Sequence, residues 1–336
     1  MRLQGLDIVR FLAFCGMVLV NFRLAAQVTP GDDWPSLLTT ALEGRAAALF
    51  VVLAGIGVAL AKAPASLMLR RVAFLFVLGL ANLTIFEADI LHFYALYFAA
   101  AIPFVSAPNR WLWAGIAVVM ALSLCAQLIL NYEAGWNWDT LHYADFWTIS
   151  GFLRHALYNG WHPVFPWLSF LLFGMWIGRL ALSTKGVQLH LAIWGTVAAA
   201  LALIPGWLID DPEVIDLINT TSIPPGPFYI IAGCGSAAAV IGLILLLHPI
   251  LNRLRMAQWL APAGRQSLTL YAAHILLGMG TLEALGWLDG SLTAPQILWI
   301  SLVFCLACLI YTCLWGLKFK RGPLEMMMRR LTEIGR

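Results

Sequence analysis

The sequence predicts an all-α protein, a polytopic transmembrane helix bundle of about ten spans with both termini cytoplasmic. Three observations carry this reading: a charge-poor composition, apolar stretches of membrane length, and a one-sided distribution of basic residues. Of the 336 residues, 61% are hydrophobic and 11% charged, with a mean hydropathy of +0.84. Soluble domains carry roughly 45–50% apolar and about 25% charged residues. Too little polar surface remains to coat a water-soluble fold. The same arithmetic excludes a disordered chain, a coiled coil, a secreted disulfide scaffold and a nucleic-acid-binding domain.

A helix needs roughly 20 mostly apolar residues to cross a hydrocarbon layer of about 30 Å. Candidate spans run over 6–26, 37–61, 71–86, 90–106, 111–131, 164–182, 188–208, 227–248, 267–285 and 296–317. The first is read as a span, because Arg2 and Arg10 flank a stretch too long for a signal h-region and without a small-residue cleavage site. The third and fourth are short and share the polar turn Phe86-Glu87-Ala88-Asp89. Residues 132–163 form a long external loop with four Trp, three His and an expected helix from Tyr143 to Asn159, suited to an interfacial helix or a lid. A second external loop, 209–226, leads into the eighth span through Pro224-Pro225-Gly226-Pro227. Residues 250–266, basic with apolar spacing at Leu251, Leu254, Trp259 and Leu260, predict another interfacial helix. The tail 318–336 is cytoplasmic, and residues 1–336 read as a single integral membrane domain.

Cytoplasmic loops are rich in Lys and Arg. With the N-terminus inside, most of the 20 basic residues fall on inner segments: Arg2; Lys62, Arg70 and Arg71; Arg110; Arg179 and Lys185; Arg253, Arg255 and Arg265; and Lys318, Lys320, Arg321, Arg329, Arg330 and Arg336. Acidic residues gather on the other side, at Asp32, Asp33, Glu87, Asp89, Glu133, Asp139, Asp145, Asp210, Asp211, Glu213, Asp216, Glu283 and Asp289.

All six cysteines fall inside spans, where they act as small hydrophobes, and the seven histidines form no HxxxH or HExxH spacing. No metal site is expected. Ionisable groups within spans are costly unless paired or facing a wet cavity, so each is a functional candidate. Asn21, Arg23, Glu43, Arg45, Asp89 and His92 come from three spans at comparable depth in the outer leaflet. Arg10 stands near the cytoplasmic face, either as an anchor that snorkels to the interface or as a ligand. Glu43 and Arg45 pair with Arg23 and Asp89 in the purely structural alternative. His274, in the ninth span, suits a hydrogen bond between helices, and His142 and His155 a solvated surface. His162 differs because Pro163 fixes it just above the sixth span.

The opening Leu6-Asp7-Ile8-Val9-Arg10 with Gly16-Met17-Val18-Leu19-Val20-Asn21 resembles the first helix of the transmembrane acyltransferase superfamily. More closely, the chain resembles the YeiB-like family of bacterial membrane proteins, relatives of heparan-α-glucosaminide N-acetyltransferase. The resemblance continues in order through Glu43-Gly44-Arg45, Phe50-Val51-Val52-Leu53-Ala54-Gly55-Ile56-Gly57, Asp89-Ile90-Leu91-His92-Phe93-Tyr94-Ala95-Leu96 and His162-Pro163-Val164-Phe165-Pro166-Trp167. It then runs through Gly174-Met175-Trp176-Ile177-Gly178-Arg179, the Pro224 block, Gly264-Arg265-Gln266-Ser267-Leu268-Thr269-Leu270-Tyr271 and Gly322-Pro323-Leu324-Glu325. It implies acyl transfer, usually of acetyl from cytoplasmic acetyl-CoA, to an acceptor at or beyond the outer face.

One departure matters. The O-acyltransferase branch carries Arg, ten residues, then a catalytic His; here Arg10 matches and position 21 is Asn. The heparan acetyltransferase branch has Asn there and its His in the following loop, but this chain has no His from 22 to 40. The base must come from elsewhere. His92 fits best, with Asp89 one turn back to orient it, and His162 is second. Asn21 and Arg45 are candidates to polarise the acyl carbonyl, beside Glu43. Arg10, with Arg70 and Arg71 or Arg265, would bind the CoA phosphates, and the pantetheine arm is long enough to reach the outer half.

The leading expectation is therefore an acyl-CoA-dependent membrane acyltransferase acting on a sugar or other small-molecule or glycan acceptor, in a bacterial inner membrane. Its partners are membrane lipids, acyl-CoA and the acceptor, with no nucleic acid; a homodimer is compatible. The alternative is a secondary transporter or permease using the same outer-leaflet polar cluster, although no inverted repeat is visible. A non-catalytic scaffold explains the buried charges least well.

Overall fold

The computed structural model describes residues 3–209, 211–212 and 214–333, so the expectations placed on Arg2, Asp210, Glu213 and Arg336 lie outside the described residues. The helices are α1 (Gln4–Ala25), α2 (Trp34–Leu42), α3 (Arg45–Ala61), α4 (Ala65–Leu83), α5 (Leu91–Ala101), α6 (Asn109–Ile129), α7 (Ile149–Arg154), α8 (Val164–Ile177), α9 (Lys185–Leu208), α10 (Ile215–Ile218), α11 (Pro227–Arg253), α12 (Met256–Gly264), α13 (Ser267–Ala273), α14 (Gly280–Ala284), α15 (Ala294–Lys318) and α16 (Pro323–Thr332). A single two-stranded hairpin, β1 (Trp136–Asn137) and β2 (His142–Tyr143), is the only sheet among the described residues.

Seven segments among the described residues are long and apolar enough to cross a membrane: α1, α2 with α3, α4, α6, α9, α11 and α15. The fourth and sixth expected spans correspond to shorter apolar helices, α5 extended to Phe104 and α8. The ninth is composite, with a π turn (His274–Met279) joining α13 to α14. The second expected span is interrupted. Gly44, at φ +69, ends one helix and lets the next begin, and Arg45 N–H bonds to the Glu43 carbonyl at 2.8 Å instead of one turn back. A positive φ is readily accessible only to glycine.

The chain forms two compact units. One gathers the residues up to Phe50, Leu182–Ile193 and Ala238–Arg330; the other gathers Val51–Ala181, Trp194–Ala237 and the segment from Leu331. In the first unit, α12 and α15 pack on α1. Residues 250–266 are thus more than a surface helix: Ala257 and Ala261 share one face and seat it on Ile8, leaving Trp259 exposed on the other. Glu325 of α16 accepts from Leu268 N–H (2.7 Å), Thr269 N–H (3.2 Å) and the Thr269 hydroxyl (2.6 Å), capping the exposed amides of α13.

In the second unit, α4 packs on α5, and α8 on α5 and α6. The expected helix from Tyr143 to Asn159 is only half helix: the hairpin ends at Tyr143, and α7 with a π turn (His155–Asn159) supplies the rest. The reason is local. Arg154 Nη2 holds Asp145 at 2.6 and 2.7 Å, and the Thr148 hydroxyl caps Gly151 N–H at 3.0 Å, so the helix starts at Ile149. Asn159 ties the loop together, accepting from the Tyr143 hydroxyl (2.8 Å) and donating to the carbonyls of Tyr132 (2.7 Å) and Ala134 (2.8 Å).

Candidate functional site

The turn before α5 fixes the first candidate. Asp89 Oδ2 accepts Leu91 N–H at 2.8 Å, capping α5, and Asn82 Nδ2 donates to Asp89 Oδ1 at 3.3 Å. This places Asp89 Oδ2 3.5 Å from His92 Nδ1, with both side chains fully buried. Gly79 makes the placement possible, because a Cβ there would collide with the His92 backbone and push α4 off α5. Neither ring nitrogen of His92 has a hydrogen-bond partner among the described residues, the 3.5 Å to Asp89 being an ion-pair distance only.

Around His92 lies an aromatic box. Phe93 packs at 4.0 Å between ring centroids, Phe146 edge-on at 6.0 Å and His155 stacked at 5.9 Å. His155 in turn touches Phe93, Tyr143 and Phe146. His162 packs edge-on against Phe93 and Trp167, and its carbonyl accepts the Tyr97 hydroxyl. The Nδ1 atoms of His155 and His162 are likewise buried without a hydrogen-bond partner. Burial pushes the His155 imidazole well below its ordinary pKa, and the nearby His92, His162 and Arg154 add to the effect. Burial also lowers His162, to about 3, with a smaller contribution from His92. At neutral pH both are neutral imidazoles. An unpaired buried nitrogen costs about 1–3 kcal/mol, and a cluster of them marks a place built for something other than packing. Among the described residues, no His, Cys, Asp and Glu side chains group as a metal site.

Two cavities belong to the same unit. One, of about 380 Å³, is lined by Leu83, Glu87, His142, Tyr143, Phe146, Trp147 and His155 among others, so His155 separates it from His92. Glu87 pairs with His142 on its wall. The other, of about 580 Å³, lies where α3 turns into α4 and α5 ends, and is lined by Lys62, Pro64, Ser106, Ala107 and Arg179 among others. Arg179 is held there by the carbonyls of Phe104 (2.8 Å) and Ala107 (2.5 Å). Helix α5 joins the two regions: its N-terminus carries His92, and the turn after it lines the cationic cavity roughly 20 Å further along at about 1.5 Å per residue.

The other expected residues are distributed as follows. Arg10 Nη1 lies 2.6 Å from Asp7, so it is paired and not solitary. Buried Arg23 donates to Glu43 at 2.7 Å, as the structural alternative anticipates. Asn21 Nδ2 lies 3.0 Å from His274 Nε2, the hydrogen bond between helices that His274 suits. Arg45 opens α3, and Arg265 is exposed at the end of α12. Arg70 Nη1 donates to the Thr332 carbonyl at 3.2 Å, and Arg71 lies 3.6 Å from Glu333. Neither is among the residues lining the cationic cavity. The sequence reading of His155 as solvated is corrected, since it is buried at 1% exposure between Phe93, Tyr143 and Phe146; Lys62 and Arg179 were read only as basic residues of inner segments, without a binding role. The only sequence signals were the Gly160 that follows His155 closely and the basic pair's position at two inner turns, and neither is distinctive.

Residues 2–206 match the family model described as heparan-alpha-glucosaminide N-acetyltransferase, catalytic. Residues 175–335 match the model described as protein of unknown function (DUF418). No curated protein matches the chain. His92, Asp89, His155, His162, Lys62 and Arg179 all fall within the first match.

Proposed function

The chain belongs to the YeiB-like family related to heparan-α-glucosaminide N-acetyltransferase, and from that premise we propose that it is an acyl-CoA-dependent acyltransferase of the bacterial inner membrane. It moves acetyl from cytoplasmic acetyl-CoA to a hydroxyl or amine of a sugar or other small acceptor on the extracytoplasmic side. The chain is an integral membrane protein, and the proposal gives it ten spans with both termini inside. The observation that carries this reading is the fully buried His92, with Asp89 3.5 Å from Nδ1 and neither ring nitrogen hydrogen-bonded among the described residues.

Acetyl-CoA supplies the acyl group already activated as a thioester. The chain's own contribution is basic and electrostatic. Asp89, capped onto α5, stands 3.5 Å from His92 Nδ1, near enough to close on it as a hydrogen bond once an acceptor engages Nε2. Nε2 accepts the proton of the attacking hydroxyl or amine as its oxygen or nitrogen bonds to the acetyl carbon; the C–S bond breaks, CoA leaves as the thiolate, and the imidazolium, stabilised by Asp89, returns the proton to it. His162 is the second candidate for that proton. The aromatic box leaves His92 and Asp89 fully buried, and charges interact more strongly in such low-dielectric surroundings. Lys62 and Arg179 offer cations and a polar rim suited to CoA phosphates. Arg10, Arg70, Arg71 and Arg265 belong to the same proposal as cations of the cytoplasmic face. Asn21 and Arg45, with Glu43, are proposed for the polar chemistry of the first unit.

The test is acetyl-CoA binding and turnover by the detergent-purified protein. His92→Gln is expected to bind acetyl-CoA as the parent does and to lose roughly 10²–10⁴-fold in kcat. Unchanged turnover in His92→Gln, with loss in His162→Gln, moves the base to His162. A protein that neither binds nor cleaves acetyl-CoA loses the enzyme reading, and the transporter alternative takes its place.

A further inference from the structure

The first unit contains a polar pair that the chemistry of His92 does not use. His274 is fully buried at the first position of the π turn, between α13 and α14, with the rings of Phe14 and Tyr271 edge-on at 6.1 and 4.9 Å. Its Nδ1 meets the carbonyl of Tyr271, and its Nε2 lies 3.0 Å from Asn21 Nδ2. A carbonyl only accepts, so Nδ1 carries the hydrogen and Nε2 presents a bare lone pair. The side chain of Asn21 has two possible faces, and only the amide NH₂ can answer a lone pair. The orientation of the carboxamide is therefore set by the tautomer of His274, and that tautomer by the Tyr271 carbonyl.

What this leaves is a directed oxygen. Asn21 is partly exposed, and no hydrogen bond to its Oδ1 is made among the described residues. It stands in a 22-residue apolar helix, where a carboxamide oxygen without a partner is costly. A π turn is rare, and where one occurs inside a helix it often marks a functional position. Here it begins at the residue that makes the contact.

We propose that His274 is a positioning residue: held as the Nδ1–H tautomer, it fixes Asn21 so that Oδ1 accepts a hydrogen bond from the N–H or O–H of the acyl acceptor. The proposal rests on the acyltransferase reading but predicts a contact that exists without turnover. Asn21 touches the acceptor, and His274 acts only through Asn21. No proton changes hands in this pair.

Two measurements test it on the full-length protein in detergent. The first is nitrogen NMR with ¹⁵N-labelled histidine, assigned with His274→Gln. The expected spectrum shows a protonated Nδ1 and an unprotonated Nε2 whose resonance moves on Asn21→Leu. A protonated Nε2, or a resonance indifferent to Asn21→Leu, overturns the proposal whether or not the protein turns over. The second is steady-state acetyl transfer. His274→Leu is expected to lower kcat about tenfold or more with an unchanged KM for acetyl-CoA, because a displaced positioning group slows the chemical step. His274→Gln, which keeps an acceptor, restores much of that loss, and His274→Leu costs little more once Asn21 is already Leu. Losses that multiply in the double variant, or a Gln variant no better than Leu, overturn the positioning role. If the spectrum shows the expected pair but the parent protein transfers no acetyl, the pairing is supported while its role in acyl transfer fails together with the acyltransferase reading.

Discussion

At His92 the protein buries an imidazole neither of whose nitrogens has a hydrogen-bond partner among the described residues, with an Asp89 oxygen 3.5 Å from Nδ1. Replacing such a residue with an apolar ring of similar size removes an unpaired polar group worth about 1–3 kcal/mol. His92→Phe is therefore expected to raise or preserve the melting temperature while abolishing turnover; a large fall in melting temperature contradicts a site held at the expense of stability. His155 and His162 give a second residue-scale prediction. Both are lowered below the ordinary histidine range in the folded chain, His162 to about 3, so the unfolded chain binds more protons between that value and pH 6.5. Their contribution to stability is complete above pH 6.5 and is lost as the pH falls below it, for His162 at roughly 1.4 kcal/mol per pH unit at most until about pH 3, and for His155 in the same direction. Denaturation midpoints measured across that range are expected to fall with acid, and less steeply in His162→Gln; an identical slope in both proteins speaks against the burial. His92 and Asp89 were legible because two ionisable residues one turn apart at the start of an apolar stretch are conspicuous. His155 was not, because an aromatic, polar loop gives no sign of which of its three histidines turns inward.

At the scale of elements, close packing of α4 on α5 positions the site. Gly79 lies against the His92 backbone, so Gly79→Val is expected to separate the two helices, lower the melting temperature and cost turnover, while Gly316→Ala, at a glycine with open space around it, changes neither. Equal effects of the two substitutions would contradict the packing. Long helices such as α6, α11 and α15 were legible from hydropathy alone, since their length and apolar content leave little alternative. The break at Glu43-Gly44 was read through as one span because apolar stretches on both sides of Glu43-Gly44-Arg45 together make membrane length, and the positive φ of Gly44 marks where it falls. The hairpin at Trp136–Tyr143 was hidden for another reason. Its two ends are held by Asn159 and Arg154, residues well beyond it in sequence that bond the Ala134 carbonyl before it and Asp145 after it. The face of α12 that seats on α1 reads in the sequence as a pair of alanines, which hydropathy weighs as ordinary apolar content.

Across the whole molecule, the distribution of basic residues supports a chain with both ends in the cytoplasm, and that proposal is open to direct labelling. A cysteine placed at Trp147 is expected to react with a membrane-impermeant thiol reagent from outside intact cells, and one placed at Lys320 only after the cells are opened; the reverse pattern inverts the map. Within the second unit, the cationic cavity at the end of α5 and the histidine box at its beginning suit a reaction that takes its donor on one face and its acceptor on the other. Lys62→Ala is expected to weaken CoA binding several-fold, up to about tenfold, or ~1.4 kcal/mol, without altering the pH dependence of turnover. The most direct measurement uses proteoliposomes supplied with acetyl-CoA, labelled in the acetyl group and separately in CoA, on the cytoplasmic face and with glucosamine opposite. Transmembrane acyl transfer predicts that acetyl label appears on the far side, as acetylated acceptor or acetate, while CoA label stays where it was added, and that His92→Gln abolishes the crossing. Acetyl label that never crosses, or crosses only together with CoA label, would contradict it.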